Sequence, residues 1–218
     1  MWLPTIDNMS GTKIILVRHG ETEWNVARRI QGYSDSPLTP VGVKQAQALG
    51  ARLAQEKFGL VHASDLGRVR QTVAHIVEKT GHEPNFAEDL RERAYGVFEG
   101  KTMDECEKEL PGQWSLYRGP DPHAVPPGGE SVVQFQERIT AALERVAKLA
   151  DGETVVIAAH GGVCGALFRH VMKLPPGTPR SWSLYNASIN RFHYHKGRWQ
   201  LDVWGDISHL SGESLQDL

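Results

Sequence analysis

The sequence predicts an α/β fold, a three-layer sandwich with a mostly parallel sheet flanked by helices, and a small helical cap inserted on it. Three observations predict it. Short β-branched runs alternate with longer segments of helical periodicity, the pattern of strands joined by helical crossovers. The strongest run, Val155-Val156-Ile157-Ala158-Ala159, is apolar on both faces, as a strand buried between two helix layers must be. A chain of 218 residues without internal repeats buries about 70% of its unfolded surface, enough for one substantial core. The expectation is therefore a single domain over residues 1–218.

The elements follow in order. Ile14-Ile15-Leu16-Val17 reads as a buried strand that ends in Arg18-His19-Gly20-Glu21. Turn formers crowd residues 32–37, and Thr39 with Pro40 then opens a helix as N-cap and first-turn proline. Ala46, Leu49 and Leu53 form its apolar stripe. Residues 60–63 are a second strand. Ser64 or Asp65 is read as the cap of the next helix, whose stripe is Leu66, Val69, Val73, Ile76 and Val77 and whose stop is Gly81. The stretch near Phe86 reads as a connection, and residues 90–100 as neither helix nor strand.

Residues 101 to about 150 change character and read as a helical insertion, with the cap itself over about 101–130. Residues 103–110 look helical, and 111–129 hold much of the chain's proline. Ser131 with Gln134 makes a capping box, followed by the stripe Val132, Phe135, Ile139, Leu143, Val146 and Leu149, with Gly152 as the stop. The strand at 154–159 runs into His160-Gly161-Gly162 and a helix over about 163–172. Residues 189–194 and 198–203 alternate around Lys196-Gly197 as a hairpin. The polar tail from about Asp206 is expected to be loosely held.

Bulk properties exclude several classes of partner. A formal net charge of −2 gives no long-range attraction to nucleic acid or an anionic membrane. Cys106 and Cys164 have neither metal-ligand nor redox spacing, so a reducing cytoplasm is the default location. Residues 1–13 resemble neither a signal peptide nor a membrane span, and Met9 is an alternative start.

Chemistry concentrates where two strands end in histidine, at His19 and His160. Ligands of open α/β sheets bind beyond the carboxyl ends of the strands, so neighbouring strands would aim both rings at one edge. The following glycines let backbone approach a ligand. Arg18 and Arg68 add the planar donors that match phosphate oxygens, and Arg68 lies in the first turn of its helix, where an anion is favoured. A solvated surface arginine is the plainer reading of Arg68 alone, and a poor one for Arg18 beside His19. Glu92, by itself, is one acid in a charged loop.

Leu16-Val17-Arg18-His19-Gly20-Glu21-Thr22 resembles the signature of the histidine phosphatase superfamily, also called phosphoglycerate-mutase-like. The resemblance continues through Trp24-Asn25, Gln31-Gly32, Pro37-Leu38-Thr39, the block from Ser64 to Thr72, the loop at 90–100, Gly129-Glu130-Ser131 and the block at 156–162. One such motif is weak evidence, and five blocks in the right order are strong. The resemblance implies that His19 is the nucleophile that becomes phosphorylated. It implies that Arg18, Arg68 and His160 clamp the phosphoryl oxygens with Asn25 assisting, and that Glu92 acts as general acid and then general base. Gln31, Gly32, Arg93, Tyr95 and Gly161 are candidate substrate-binding positions.

The implied activity is a metal-independent phosphomonoesterase for a small phosphorylated metabolite, with no cofactor and no metal. The alternative is a cofactor-dependent phosphoglycerate mutase, which would use 2,3-bisphosphoglycerate. A short insertion whose cations are Lys101, Lys108, Arg118 and His123 favours the phosphatase, as does Gly161-Gly162. Glu92-Arg93-Ala94-Tyr95-Gly96 is closer to the mutase form. A cysteine phosphatase needs one more residue than separates Cys164 from Arg169. A non-catalytic phospho-ligand binding module would have lost the nucleophile or the acid. His193 and His195 alternate on a strand without a third metal ligand in view. Relatives of the family often form homodimers through the sheet edge, which leaves a homodimer open here.

Overall fold

The computed structural model describes residues 11–210. The expectations for residues 1–10, including a start at Met9, and for the tail beyond 210 lie outside these residues. One six-stranded sheet, ordered β3-β2-β4-β1-β5-β6, organises the chain. Its strands are β1 (Thr12–Arg18), β2 (Leu60–Ser64), β3 (Pro84–Ala87), β4 (Thr154–Ala159), β5 (Ile189–His195) and β6 (Arg198–Asp206). β3, β2, β4 and β1 run parallel, and β5 and β6 add an antiparallel edge. The central pairing is β1 with β4, in register from Lys13 opposite Thr154 to Arg18 opposite Ala159. Both histidine-bearing strands therefore end side by side.

Alternation along β1 separates two cores. Ile14 and Leu16 face α6 (Val132–Leu149) and α7 (Gly161–Val171), where Phe135, Ile139, Leu143, Val146 and Leu167 pack. Ile15 and Val17 face α2 (Pro40–Leu53) and α3 (Gly67–Thr80) with Leu49, Leu53, Val69, Val73 and Ile76. The long helix α6 is thus part of the main domain and not of the insertion. Burial of its four large apolar side chains contributes about 6–12 kcal/mol in area terms, an upper bound because unfolded chains already bury some surface.

The insertion proper is smaller. It contains α4 (Met103–Glu109) and α5 (Pro111–Arg118), which close a separate cluster of Phe98, Cys106 and Trp114 with Ile30, Tyr95, Leu110 and Tyr117 packed against it. Pro111 starts α5, where a missing N–H costs nothing.

Three local expectations are corrected, and one short helix is added. The stretch around Phe86 is a strand, β3, short and half-exposed at the sheet edge, so it lacks the apolar run of a central strand. Residues 23–26 form a one-turn helix, α1 (Glu23–Val26), behind a Thr22–Asn25 capping box. Neither Ser64 nor Asp65 caps α3. β2 runs through Ser64, the N-cap is Leu66 without a side-chain bond, and the Asp35 carboxylate accepts the Arg68 N–H from a separate loop. Finally, β6 extends to Asp206, and His209 lies 3.1 Å from the Ala187 carbonyl, so residues 207–210 are held against the body. The hairpin turn behaves as read: Lys196 and Gly197 have φ of 47° and 77°, both left-handed, as a two-residue turn requires. Among the described residues no helix is long and apolar enough to cross a membrane.

Candidate active site

His19 follows β1 and is 3% exposed. Its Nδ1 lies 2.8 Å from the Gly20 carbonyl. A carbonyl only accepts, so the Nδ1 carries the proton and the lone pair of a neutral ring sits on Nε2. Desolvation by burial, then Arg68 and Arg18, hold the imidazole well below its usual pKa of 6.5. The ring is thus neutral and nucleophilic at neutral pH. Gly20 is fixed behind it, its N–H donating to Thr72 Oγ1 at 3.1 Å.

His160 ends β4 as the N-cap of α7, fully buried. Its ring lies 5.4 Å from that of His19, edge to face. Its Nε2 is 2.8 Å from Ser64 Oγ at the end of β2, while its Nδ1 is buried without a partner among the described residues. Burial first, then Arg68 and His19, keeps it well below 6.5 as well. Three adjacent parallel strands thus each deliver one polar side chain to a common edge.

The two guanidiniums are almost wholly buried. Arg18 donates to the Leu184 carbonyl. Arg68 donates to the carbonyls of Gly32 (2.8 Å) and Ser34 (2.9 Å) and to Asp35 (3.1 Å), which ties the loop before α2 to the start of α3. Gly32 adopts φ of +59°, a conformation few side chains tolerate, and this presents its carbonyl to Arg68. Asn25 spends its side-chain oxygen on the Thr22 N–H, the Thr22 hydroxyl and Asn186 Nδ2, leaving its own amide nitrogen for a ligand.

Glu92 lies in the irregular loop between the single-turn 3-10 helices Glu88–Leu90 and Gly96–Phe98, and is 8% exposed. Its Oε1 accepts from the Arg93 N–H and its Oε2 from the Gly162 N–H, both at 2.8 Å. A Cβ at position 162 would stand 2.0 Å from Oε1, so a side chain there must displace the carboxylate.

These residues converge on one cavity of about 180 Å³. Arg18, His19, Asn25, Gln31, Gly32, Arg68, Glu92, Tyr95 and Gly161 all line it. Its outer wall is aromatic, from Trp24, Trp114 and Tyr117, with Arg28 and Arg118 at hand. Among the candidate positions, His160, whose ring meets that of His19, does not itself line it, and neither does Arg93. Its guanidinium lies 5.4 Å and 5.0 Å from the rings of Tyr95 and Tyr117 and donates to the Glu130 carbonyl, bracing the wall from behind. His123 is exposed and stands outside the cavity. Among the described residues no three of His, Cys, Asp and Glu come together, and His193 and His195 find no third ligand.

Sequence reasoning missed Ser64, Asp35 and Asn186. Each acts through a partner distant in sequence, and no local spacing announces that. Trp114 carried no signal beyond its size, and Trp24 only its place beside Asn25 in the motif.

The profile described as the histidine phosphatase superfamily, branch 1, matches residues 14–207. The chain belongs to that superfamily. Within it, a Salmonella newport protein named "Probable phosphoglycerate mutase GpmB" is 38% identical over 215 residues, covering 94% of this chain and 98% of that protein. The solved structure of Bacillus stearothermophilus YhfR superposes with a TM-score of 0.81 at 34% identity, covering 91% of this chain and 98% of that one. A mycobacterial glucosyl-3-phosphoglycerate phosphatase in complex with VO3 superposes with a TM-score of 0.75 at 32% identity, covering 88% and 98%. This superfamily member is accordingly an enzyme with the phosphoglycerate mutase-like fold.

Proposed function

We propose that the chain is a metal-independent phosphomonoesterase that hydrolyses a small phosphorylated metabolite through a phosphohistidine on His19. The observation that carries this reading is the fixed tautomer of His19, with its Nε2 lone pair in a cavity lined by two buried arginines and Glu92. In the first step Nε2 forms a bond to phosphorus as the ester P–O bond breaks, and Glu92 gives its proton to the departing alkoxide. In the second step water attacks phosphorus, Glu92 takes its proton, and the P–N bond breaks to release inorganic phosphate. Charge on the phosphoryl oxygens is met by Arg18, Arg68, the Asn25 amide and the Nδ1 of His160, groups whose positions are set before substrate arrives. Both cysteines are buried as thiols, which fits a cytoplasmic enzyme.

Hydrolysis is favoured over mutase chemistry by the cations of the cap. A mutase must retain a bisphosphate while it turns round, and this takes additional positive charge. Lys101 is committed to Glu109 at 2.5 Å, Lys108 and His123 do not line the cavity, and Arg118 is the cap cation that does. Outside the cap, Arg29 is held by Glu105, and Arg28 also lines the cavity. The mutase reading draws support from the name of the Salmonella relatives and from the residues at 92–96.

The deciding experiment is a phosphate-release screen over small phosphomonoesters. It includes 3-phosphoglycerate with and without 2,3-bisphosphoglycerate while 2-phosphoglycerate is followed. Free phosphate from one or a few esters is expected. Interconversion without net phosphate release would overturn hydrolysis in favour of the mutase. His19→Ala is expected to abolish acid-labile labelling by a phosphate donor, and persistent labelling would remove His19 as nucleophile.

A further inference from the structure

Glu92 lies on a loop with little regular structure, yet its placement has to be reproducible for it to serve as proton donor. The backbone around it is gripped from one side by a single residue of the main domain. Arg138, on α6, pairs with Glu130 through Nε to Oε1 and through Nη2 to Oε2, both at 2.7 Å. The rest of the same guanidinium donates to three successive stations of the acid loop: the carbonyls of Asp89 (3.0 Å), Arg91 (3.1 Å) and Glu92 (3.1 Å). Glu130 completes the grip. Its Oε2 accepts the Ala94 N–H at 3.0 Å, and its backbone N–H donates to the Ala94 carbonyl. Neither residue lines the cavity.

Only arginine has the donors for this. Five N–H groups in a planar fork make a bidentate pair and still reach the carbonyls, whereas lysine offers one nitrogen. From the other side, Arg91 makes a bidentate bond to Asp65. The loop is therefore clamped to both α6 and the segment before α3, with Glu92 between the clamps.

We infer that the Arg138–Glu130 pair is the positioning element of the proton donor, fixing the backbone at 89–94 so that the Glu92 carboxyl meets the leaving-group oxygen. This rests on the reading of Glu92 as general acid. Arg138 touches no cavity-lining group except through the loop that carries Glu92 and the Glu130 beside it, so its loss harms the esters that need a proton more than those that do not.

The experiment measures kcat/KM of Arg138→Met, Glu92→Gln and their double variant on p-nitrophenyl phosphate and on an alkyl ester such as glycerol 2-phosphate. Arg145→Gln, which removes an exposed α6 ion pair to Asp89, is the control. Arg138→Met is expected to lower alkyl-ester turnover by about tenfold or more, a share of the roughly 10²–10⁴ that a placed acid contributes. Its p-nitrophenyl phosphate turnover is expected to stay within about threefold, because that leaving group departs without a proton. The double variant should be no worse than Glu92→Gln, since groups that act as a unit are non-additive. Glu130→Gln carries the same expectation and keeps the chain's volume should Arg138→Met fail to fold. Equal losses on both esters, or additive losses in the double variant, would overturn the inference while leaving Glu92 as the acid. A Glu92→Gln variant that treats both esters alike would overturn the acid role and this inference with it.

Discussion

Lowering the pH from 7.5 to 5.5 should destabilise the fold, and the two site histidines contribute a share that variants can isolate. Both are buried and held well below 6.5, by desolvation first and by neighbouring Arg68 second. In the unfolded chain the same imidazoles titrate near 6.5. Below that pH the unfolded state takes up protons that the folded state refuses, so stability present above 6.5 is lost as the pH falls. Each fully refused proton contributes about 1 kcal/mol over this interval, so the pair sets an upper bound of about 3 kcal/mol. For a chain of this size that bound corresponds to a fall in Tm of about 6–12 °C.

Carboxylates do not confuse the window, since the lowered ones such as Asp65 and Glu130 have ordinary values of 3.8 and 4.5, below it. His62 and His209, also lowered, contribute in the same direction and cancel when variants are compared. The assay is urea unfolding followed by tryptophan fluorescence, for the wild type and for His160→Gln, at both pH values. At pH 7.5 the wild type should hold some advantage over the variant. At pH 5.5 that advantage should shrink by up to about 1 kcal/mol, because glutamine has no proton to refuse. A constant gap at the two pH values would refute the reasoning, since it would mean that His160 protonates freely in the folded protein.

Two further outcomes follow from the site. Orthovanadate at about 100 times its Kd should raise stability by roughly 2.7 kcal/mol, and Arg68→Met should abolish the thermal shift; a shift retained in the variant would remove Arg68 from the oxyanion clamp. Excess chelator should leave phosphate release unchanged, and activity restored only by an added divalent cation would refute the metal-independent chemistry.

The parts of the fold legible in the sequence were those written in short-range pattern. The capping box at Ser131 and the stripe behind it place α6 correctly, because periodicity and cap agree over eighteen residues. The hairpin at Lys196-Gly197 is legible because its turn demands a backbone that few dipeptides adopt. β3 was not legible, for its four residues Pro-Asn-Phe-Ala carry no pattern and take their strand geometry from β2 alone. The cap of α3 was misassigned because the capping carboxylate comes from Asp35, some thirty residues earlier. The site shows the same division. His19, Arg18 and His160 announce themselves at strand ends, and the motif blocks carry Glu92 and Arg68. The residues that fix their geometry, Ser64, Asn186, Glu130 and Arg138, bond across 36 to 167 positions and are invisible to any local window.

The position of β1 at the middle of the sheet has a consequence for synthesis. This strand, which leads into His19, is made before either of its neighbours. β4 is made about 140 residues later and β5 later still. At roughly 5–20 residues per second, Ile14 to Val17 would wait about 7–30 s as an apolar segment with both edges open. β2 and β3, by contrast, are close in sequence and can pair as soon as they emerge. The nascent chain thus carries its future central strand with both edges open to non-native pairing until β4 arrives.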